Sequence, residues 1–79
     1  MKIDLRADLN REDDDGLGWT LLSNADQPEI VRPGAVLLAG TKKFWSWVRV
    51  TTVDEDGQVH FRQISVAEAK ASGQLAEAG

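Results

Sequence analysis

The chain has 79 residues, a formal net charge of −4 and no cysteine. The lack of cysteine excludes disulfides and thiolate metal sites, and a single histidine, His60, cannot build a histidine-based zinc site by itself. The negative charge argues against general affinity for DNA or for an anionic membrane. A domain of this size buries only about 60% of its unfolded surface, so we expect tight packing or a partner subunit to stabilise it.

The first sixteen residues predict a charged strand and an acidic loop. Apolar and polar side chains alternate from Ile3 to Leu9, which is the period of a half-exposed strand, although the spacing of Leu5 and Leu9 also fits one face of a helix. The N-terminus lacks the apolar core of a signal peptide, and the longest apolar run, residues 35–39, is far shorter than the ~20 residues that span a bilayer. We therefore expect a cytoplasmic protein with no membrane partner.

The middle of the chain predicts four strands. They cover residues 17–23, 35–41, 44–53 and 58–64, and the third is the densest in aromatic and β-branched residues. Pro28 and Pro33 confine the stretch before the second strand to an edge or a connection. Pro33 and Gly34 predict a type II turn, and residues 54–57 (DEDG) predict the turn of a hairpin.

A short helix is predicted after the last strand. Ser65 is expected to be its N-cap, with the Glu68 side chain reaching back to the N-cap in a capping box, and Gly73 is placed to end it. The whole chain, residues 1–79, is predicted to be a single domain. Its parts are the N-terminal strand and acidic loop (1–16), the β core (17–64), the helix (65–73) and a frayed tail (74–79).

This order of elements predicts a mostly-β fold. We expect a small SH3-like barrel or a strongly bent antiparallel sheet of four or five strands with a short C-terminal helix. A charged early loop, a Pro-Gly turn and a tryptophan-containing strand that enters a hairpin are similar to SH3-like barrels in architecture. The peptide-binding SH3 family also has an Ala-Leu-Tyr-Asp-Tyr-like strand and a late Pro-x-x-Tyr motif, whereas this chain has no tyrosine.

The register of the hairpin defines the predicted core face. A loop of two or four residues pairs Val50 with Phe61, and a three-residue loop closed by a glycine bulge pairs Val50 with Arg62 and Val53 with Val59. The even register pairs Val48 with Gln63, Val50 with Phe61, Thr52 with Val59 and Val53 with Gln58. Its core face is Phe44, Val48, Val50, Val59 and Phe61. Because a slip of one residue inverts every side chain, burial favours the even loop.

The opposite face of the hairpin is the candidate binding face. It holds Trp45, Trp47, Arg49, Thr51, His60 and Arg62, with Lys42 and Lys43 at one end. Indole rings suit stacking, and tryptophan and arginine are enriched at binding hot spots. Arg49 is expected opposite Arg62, a mildly destabilising pair unless an anion lies between them. In the alternative, purely structural interpretation, the tryptophans pack beneath the acidic segment or the helix, and the arginines pair with Asp13, Asp14 or Asp15.

Motifs for catalysis and for metal binding are incomplete. The acidic clusters at residues 13–16 and 54–57 lack the first Asp and the bidentate Glu of a calcium loop. Residues 39–42 resemble a phosphate loop, but their spacing is wrong and no helix follows. Thr51 is expected near His60, but nothing supplies an oxyanion hole. The prediction is therefore a non-enzyme with no metal and no cofactor.

Three functional hypotheses remain. The leading one is a small, non-catalytic interaction module that binds a protein partner, associates with itself or forms part of a larger assembly. The alternative is a small nucleic-acid-binding barrel, in which bases stack on the candidate binding face; the acidic charge of the chain opposes it. In the third, the acidic N-terminal segment docks to a basic partner.

Overall fold

The computed structural model describes residues 2–72, which form a mostly-β fold with a short C-terminal helix. The strands are β1 (Leu5–Arg6), β2 (Gly18–Leu21), β3 (Val36–Gly40), β4 (Trp45–Val53) and β5 (Gln58–Gln63). Two 3₁₀ turns, Leu22–Asn24 and Pro28–Ile30, lie between β2 and β3, and helix α1 (Val66–Ala71) follows β5. The strands make one sheet in the order β1-β3-β4-β5-β2, which curls into a nearly closed barrel.

The sheet is antiparallel except at β1. Leu5 and Arg6 on β1 lie beside Ala39 and Gly40 on β3 in a parallel pair. This pair differs from the wholly antiparallel sheet that was one of the two predicted arrangements. Parallel neighbours need a long connection, and residues 7–35 provide it. β1 is therefore one edge of the sheet and β2 is the other.

The N-terminal segment confirms the predicted alternation although its strand is short. Leu5, Ala7 and Leu9 are buried, while Arg6 and Asp8 are exposed. Only two of these residues belong to β1, so the period of two reflects burial over a longer stretch than the hydrogen-bonded strand.

The main core fills the barrel. It consists of Leu5, Ala7, Leu9, Val31, Leu37, Ala39, Val48, Val50, Val59 and Phe61. Gly18 lies on β2 directly opposite Phe61, and a Cβ at this position would overlap the fully buried Phe61 ring. The lack of a side chain at Gly18 thus lets β2 pack against β5 at the point where the largest core residue lies.

A second, smaller core lies between the sheet and α1. Val36, Ile64 and Ala69 are buried there, and Trp47 packs against them. The Ser65 hydroxyl accepts the Glu68 backbone N–H at 3.0 Å, which confirms the predicted N-cap. The helix is shorter than the predicted 65–73; Gly73 and the predicted tail 74–79 lie outside the described residues.

The hairpin turn contradicts the even register that burial favoured. The Gly57 N–H donates to the Asp54 carbonyl at 2.9 Å, and the Asp54 N–H donates to the Gln58 carbonyl at 2.8 Å. Gly57 has a φ of +83°, the left-handed conformation that closes a three-residue loop with a glycine bulge. Val53 consequently lies opposite Val59, as the three-residue loop predicts.

A second irregularity restores the even register farther from the turn. The register shifts between Val50 and Thr52, after which Val50 lies opposite Phe61 and Val48 opposite Gln63. The extra residue is Thr51, whose hydroxyl donates to the His60 carbonyl at 2.9 Å. Because the two irregularities cancel, the apolar residues on either side of the bulge all turn toward the core.

Phe44 was predicted in the core, and this prediction is wrong: its side chain is 52% exposed. It precedes β4 in a turn, where the Thr41 N–H donates to the Phe44 carbonyl at 2.9 Å. Gly40 enters this turn with a φ of +126°, and a Cβ there would overlap the Phe44 carbonyl. The alternation of β4 therefore does not extend back to Phe44.

The Pro-Gly turn is as predicted. The Ala35 N–H donates to the Arg32 carbonyl at 2.9 Å, and Gly34 has a φ of +90°, as the third position of a type II turn requires.

Candidate functional site

The structure divides the predicted binding face into three parts. Trp47 is half-buried against the second core, Arg49 and Arg62 lie opposite each other near α1, and His60 lies nearer the hairpin turn. The remaining members, Trp45, Lys42 and Lys43, are exposed at the end of β4 that follows the Gly40 turn. The predicted set is thus not one continuous exposed surface.

Glu68 supplies the anion between the two opposing arginines. Its Oε2 atom lies 3.2 Å from Arg49 Nε and 2.9 Å from Arg62 Nη2. Arg49 also donates to the Gly34 carbonyl at 3.2 Å and to the Ser72 hydroxyl at 2.8 Å. The purely structural interpretation had assigned the pairing of these arginines to the acidic loop, but helix α1 provides it.

The same contact overturns half of the predicted capping box. The Ser65 hydroxyl caps the Glu68 N–H, but the Glu68 carboxylate is directed to the two arginines instead of back to the N-cap. Two guanidinium groups attract the carboxylate more strongly than one backbone N–H does.

Replacing Glu68 by Gln should destabilise the protein. The substitution keeps the shape of the side chain, removes its charge and leaves Arg49 facing Arg62. We expect the free energy of unfolding to fall by about 0.5–1 kcal/mol in low salt, and the loss to shrink as added salt screens the two arginines. Urea titrations at two salt concentrations measure this.

Glu55→Gln is the matched control, because Glu55 is an exposed carboxylate in the hairpin turn. Equal stability of the Glu68→Gln and Glu55→Gln proteins at both salt concentrations contradicts the role given to Glu68.

His60 joins the acidic loop to the hairpin turn. Its Nδ1 atom lies 2.6 Å from Asp13 Oδ2, and its Nε2 atom lies 3.0 Å from Asp54 Oδ2. A carboxylate at each ring nitrogen requires both nitrogens to donate, which only the imidazolium can do. The other Asp13 oxygen accepts the backbone N–H groups of Asp15 and Leu17 at 2.8 and 2.9 Å. We call this arrangement the His60 clamp.

The clamp shifts the pKa values of His60 and Asp13. The hydrogen bond to Asp13, helped by the Asp54 carboxylate, raises the pKa of His60 above its ordinary value of 6.5. The Leu17 N–H is the main cause that lowers the pKa of Asp13 below its ordinary 3.8, and His60 contributes. The folded state therefore favours the charged forms of both His60 and Asp13.

The clamp should make stability depend on pH. A raised His60 pKa stabilises the fold fully below pH 6.5, and this contribution is lost as the pH rises through the raised value. A lowered Asp13 pKa stabilises the fold above pH 3.8, and this contribution is lost as the pH falls through the lowered value. Urea unfolding of the wild type should therefore show a fall in stability above pH 6.5 that His60→Gln lacks.

Asp56→Asn tests the specificity of that result, because Asp56 is an exposed carboxylate of the same hairpin turn. This variant should retain the wild-type pH profile. A His60→Gln profile parallel to the wild type between pH 6 and pH 9 contradicts the clamp.

The barrel has a seam where its two edge strands, β1 and β2, face each other. The Thr20 hydroxyl on β2 donates to the Arg6 carbonyl on β1 at 2.8 Å, and Asn24 Nδ2 donates to the Thr20 hydroxyl at 2.9 Å. Isolated bridges join Leu5 to Ala25, which follows β2, and Glu12 of the acidic loop to Gly18 of β2. The two edge strands themselves are joined by the Thr20 hydroxyl, and a depression runs along the seam.

We call this depression the seam groove. It consists of two adjoining pockets of about 510 and 620 Å³, which share Arg6, Asn24 and Thr41. The first pocket is also lined by Ala7, Asp8, Leu9, Asn10, Arg11, Trp19, Thr20, Leu21 and Phe44, and the second by Lys2, Ile3, Ser23, Ala25, Asp26, Gly40 and Lys42. Both volumes fall within the ~300–1,000 Å³ range of ligand pockets.

The groove combines cationic and aromatic side chains. The Arg11 guanidinium lies 4.6 Å from the centroid of the Trp19 ring, a cation–π contact. Leu21 and Phe44 present apolar surface, with exposed fractions of 45% and 52%. The lining holds four cations and two carboxylates, a net charge of +2 on a chain whose net charge is −4.

Three of those cations are available to a ligand. Lys2 is paired with Asp26 at 2.9 Å, whereas Arg6, Arg11 and Lys42 form no ion pair within residues 2–72. Sequence reasoning had included Lys42 but missed Arg6, Arg11 and Trp19. The charged loop and the neighbouring tryptophan were visible in the sequence, but the seam that brings them together depends on the topology of the sheet.

No family model, curated protein or solved structure matches the chain. Within residues 2–72, no helix is long and apolar enough to cross a membrane. Over the same stretch, no group of three or more His, Cys, Asp or Glu side chains is placed to hold a metal ion. The chemistry of the seam groove therefore carries the functional argument.

Proposed function

We propose that the protein is a small, non-catalytic interaction module of the cytoplasm that binds a polypeptide partner through the seam groove. The observation that carries this proposal is the groove itself, with its apolar, aromatic and unpaired cationic side chains. Phe44 and Leu21 are half-exposed although the barrel core is complete without them. Aromatic side chains and arginine, both present in this groove, are enriched at protein interfaces.

The engagement of the polar side chains supports a non-catalytic role. Both ring nitrogens of His60 contact carboxylates, which leaves neither free to take a proton from a substrate. The Thr51 hydroxyl beside it donates to a backbone carbonyl. A nucleophile needs a free base within hydrogen-bond reach, and this pair does not offer one.

The position of the groove supports a binding role. Its lining comes from the edge strands β1 and β2 and from the connections beside them, which carry Arg11, Lys42 and Phe44. Connections held by a rigid scaffold are where binding residues concentrate. An SH3-like barrel hosts many functions, so the proposal depends on this groove and not on the architecture.

The contacts of the predicted face favour a protein partner over nucleic acid. Glu68 already neutralises Arg49 and Arg62, and Trp47 packs against the second core. That face therefore offers fewer stacking and phosphate-binding groups than its sequence suggests. The acidic loop that follows Arg11 also repels a polyanion.

A substitution at the groove should remove partner binding. Phe44→Ser deletes an exposed aromatic side chain of the groove and should leave the core intact. We expect the variant to capture at least fivefold less partner protein from an extract of the source cells, since truncating an anchor residue costs more than about 1 kcal/mol. Quantitative mass spectrometry of proteins retained on the immobilised chain measures this.

Val66→Ser is the matched control, because Val66 is 61% exposed on α1, outside the residues that line the groove. It should retain the wild-type partners. Capture that is equal for Phe44→Ser and Val66→Ser contradicts the proposal, and capture that nuclease treatment abolishes favours the nucleic-acid alternative.

A further inference from the structure

We infer, on the basis of the proposed function, that the segment bound in the seam groove is a short, extended acidic peptide. Its carboxylates pair with Arg6, Arg11 and Lys42, and a bulky apolar side chain beside them packs against Trp19 and Phe44.

Charge complementarity is the first argument. The three cations have no ionic partner within residues 2–72, whereas Arg49, Arg62 and Lys2 each contact a carboxylate. Arginine binds a carboxylate through two parallel N–H groups. A peptide carboxylate therefore gives Arg6 and Arg11 the kind of partner that Arg49 and Arg62 find in Glu68.

The arrangement of the apolar side chains is the second argument. Arg11 covers the Trp19 ring, while Leu21 and Phe44 line the same pocket and are half-exposed. A purely ionic ligand leaves this apolar surface in water. An aromatic or aliphatic side chain next to a carboxylate contacts both kinds of group at once, which is the composition expected of a hot spot.

The acids around the groove limit how much negative charge the ligand carries. Asp8 and Asp26 line it, and residues 12–15, all acidic, follow Arg11. A ligand with a charge on every unit meets repulsion from these carboxylates. A peptide with one or two carboxylates among apolar residues meets less of this repulsion, so the charge pattern favours a peptide over a nucleic acid.

Selection from a displayed library of random twelve-residue peptides tests the inference. The wild-type chain is the bait, and binders that also bind Phe44→Ser are removed so that only groove-dependent peptides are counted. We expect enrichment of Asp or Glu next to Phe, Trp, Leu or Ile. The wild-type affinity of a synthetic copy of the most enriched peptide is then measured by the fluorescence of the tryptophans.

Charge substitutions test the pairing directly. Arg6→Gln and Arg11→Gln should each weaken the acidic peptide about tenfold, the loss expected for one charge-assisted hydrogen bond. Arg32→Gln is the control, because Arg32 is exposed, has no carboxylate partner within residues 2–72 and does not line the groove. It should leave the affinity unchanged.

The outcomes separate this inference from the proposed function. Groove-dependent peptides that are neutral or basic overturn the acidic partner but leave the binding module intact. A failure to enrich any peptide that distinguishes the wild type from Phe44→Ser overturns both. Equal affinities for the Arg6→Gln, Arg11→Gln and Arg32→Gln proteins overturn the assigned ion pairs.

Discussion

The hydrogen bond from the Thr20 hydroxyl to the Arg6 carbonyl spans the seam where the barrel does not close. Thr20 is buried, and a buried hydroxyl left without a partner costs about 1–3 kcal/mol. The donor is a side-chain hydroxyl and not a backbone N–H. The bond therefore holds the two edge strands farther apart than the backbone hydrogen bonds of a sheet do. The seam groove is present because β1 and β2 are held at this distance and do not pair in a hydrogen-bonded ladder.

Ionic contacts within the chain decide which charged groups remain unpaired among residues 2–72. Glu68 forms ion pairs with Arg49 and Arg62, and His60 forms ion pairs with Asp13 and Asp54. These contacts hold α1 and the acidic loop against the outer face of the barrel. The cations that remain unpaired within residues 2–72 include Arg6, Arg11 and Lys42, which lie together along the seam.

Local patterns predicted the strands and the helix start, because period-two alternation and a capping serine act over a few residues. The hairpin register could not be predicted, since Gly57 shifts it at the turn and the extra residue Thr51 shifts it back. Phe44 was misplaced because the turn at Gly40 breaks the alternation. The groove depends on residues more than thirty positions apart, such as Arg6 and Phe44, and no local pattern reports that proximity.

An amide chemical-shift map of the chain, titrated with a groove-selected peptide, tests most directly whether the seam groove is the binding surface. Binding in the seam groove predicts shifts at residues 6–11, 18–24 and 41–44 and at the Trp19 indole, with α1 and the Trp47 indole unchanged. Shifts confined to Trp47, Arg49, Arg62 and α1 would contradict it and return the binding site to the outer face of β4 and β5.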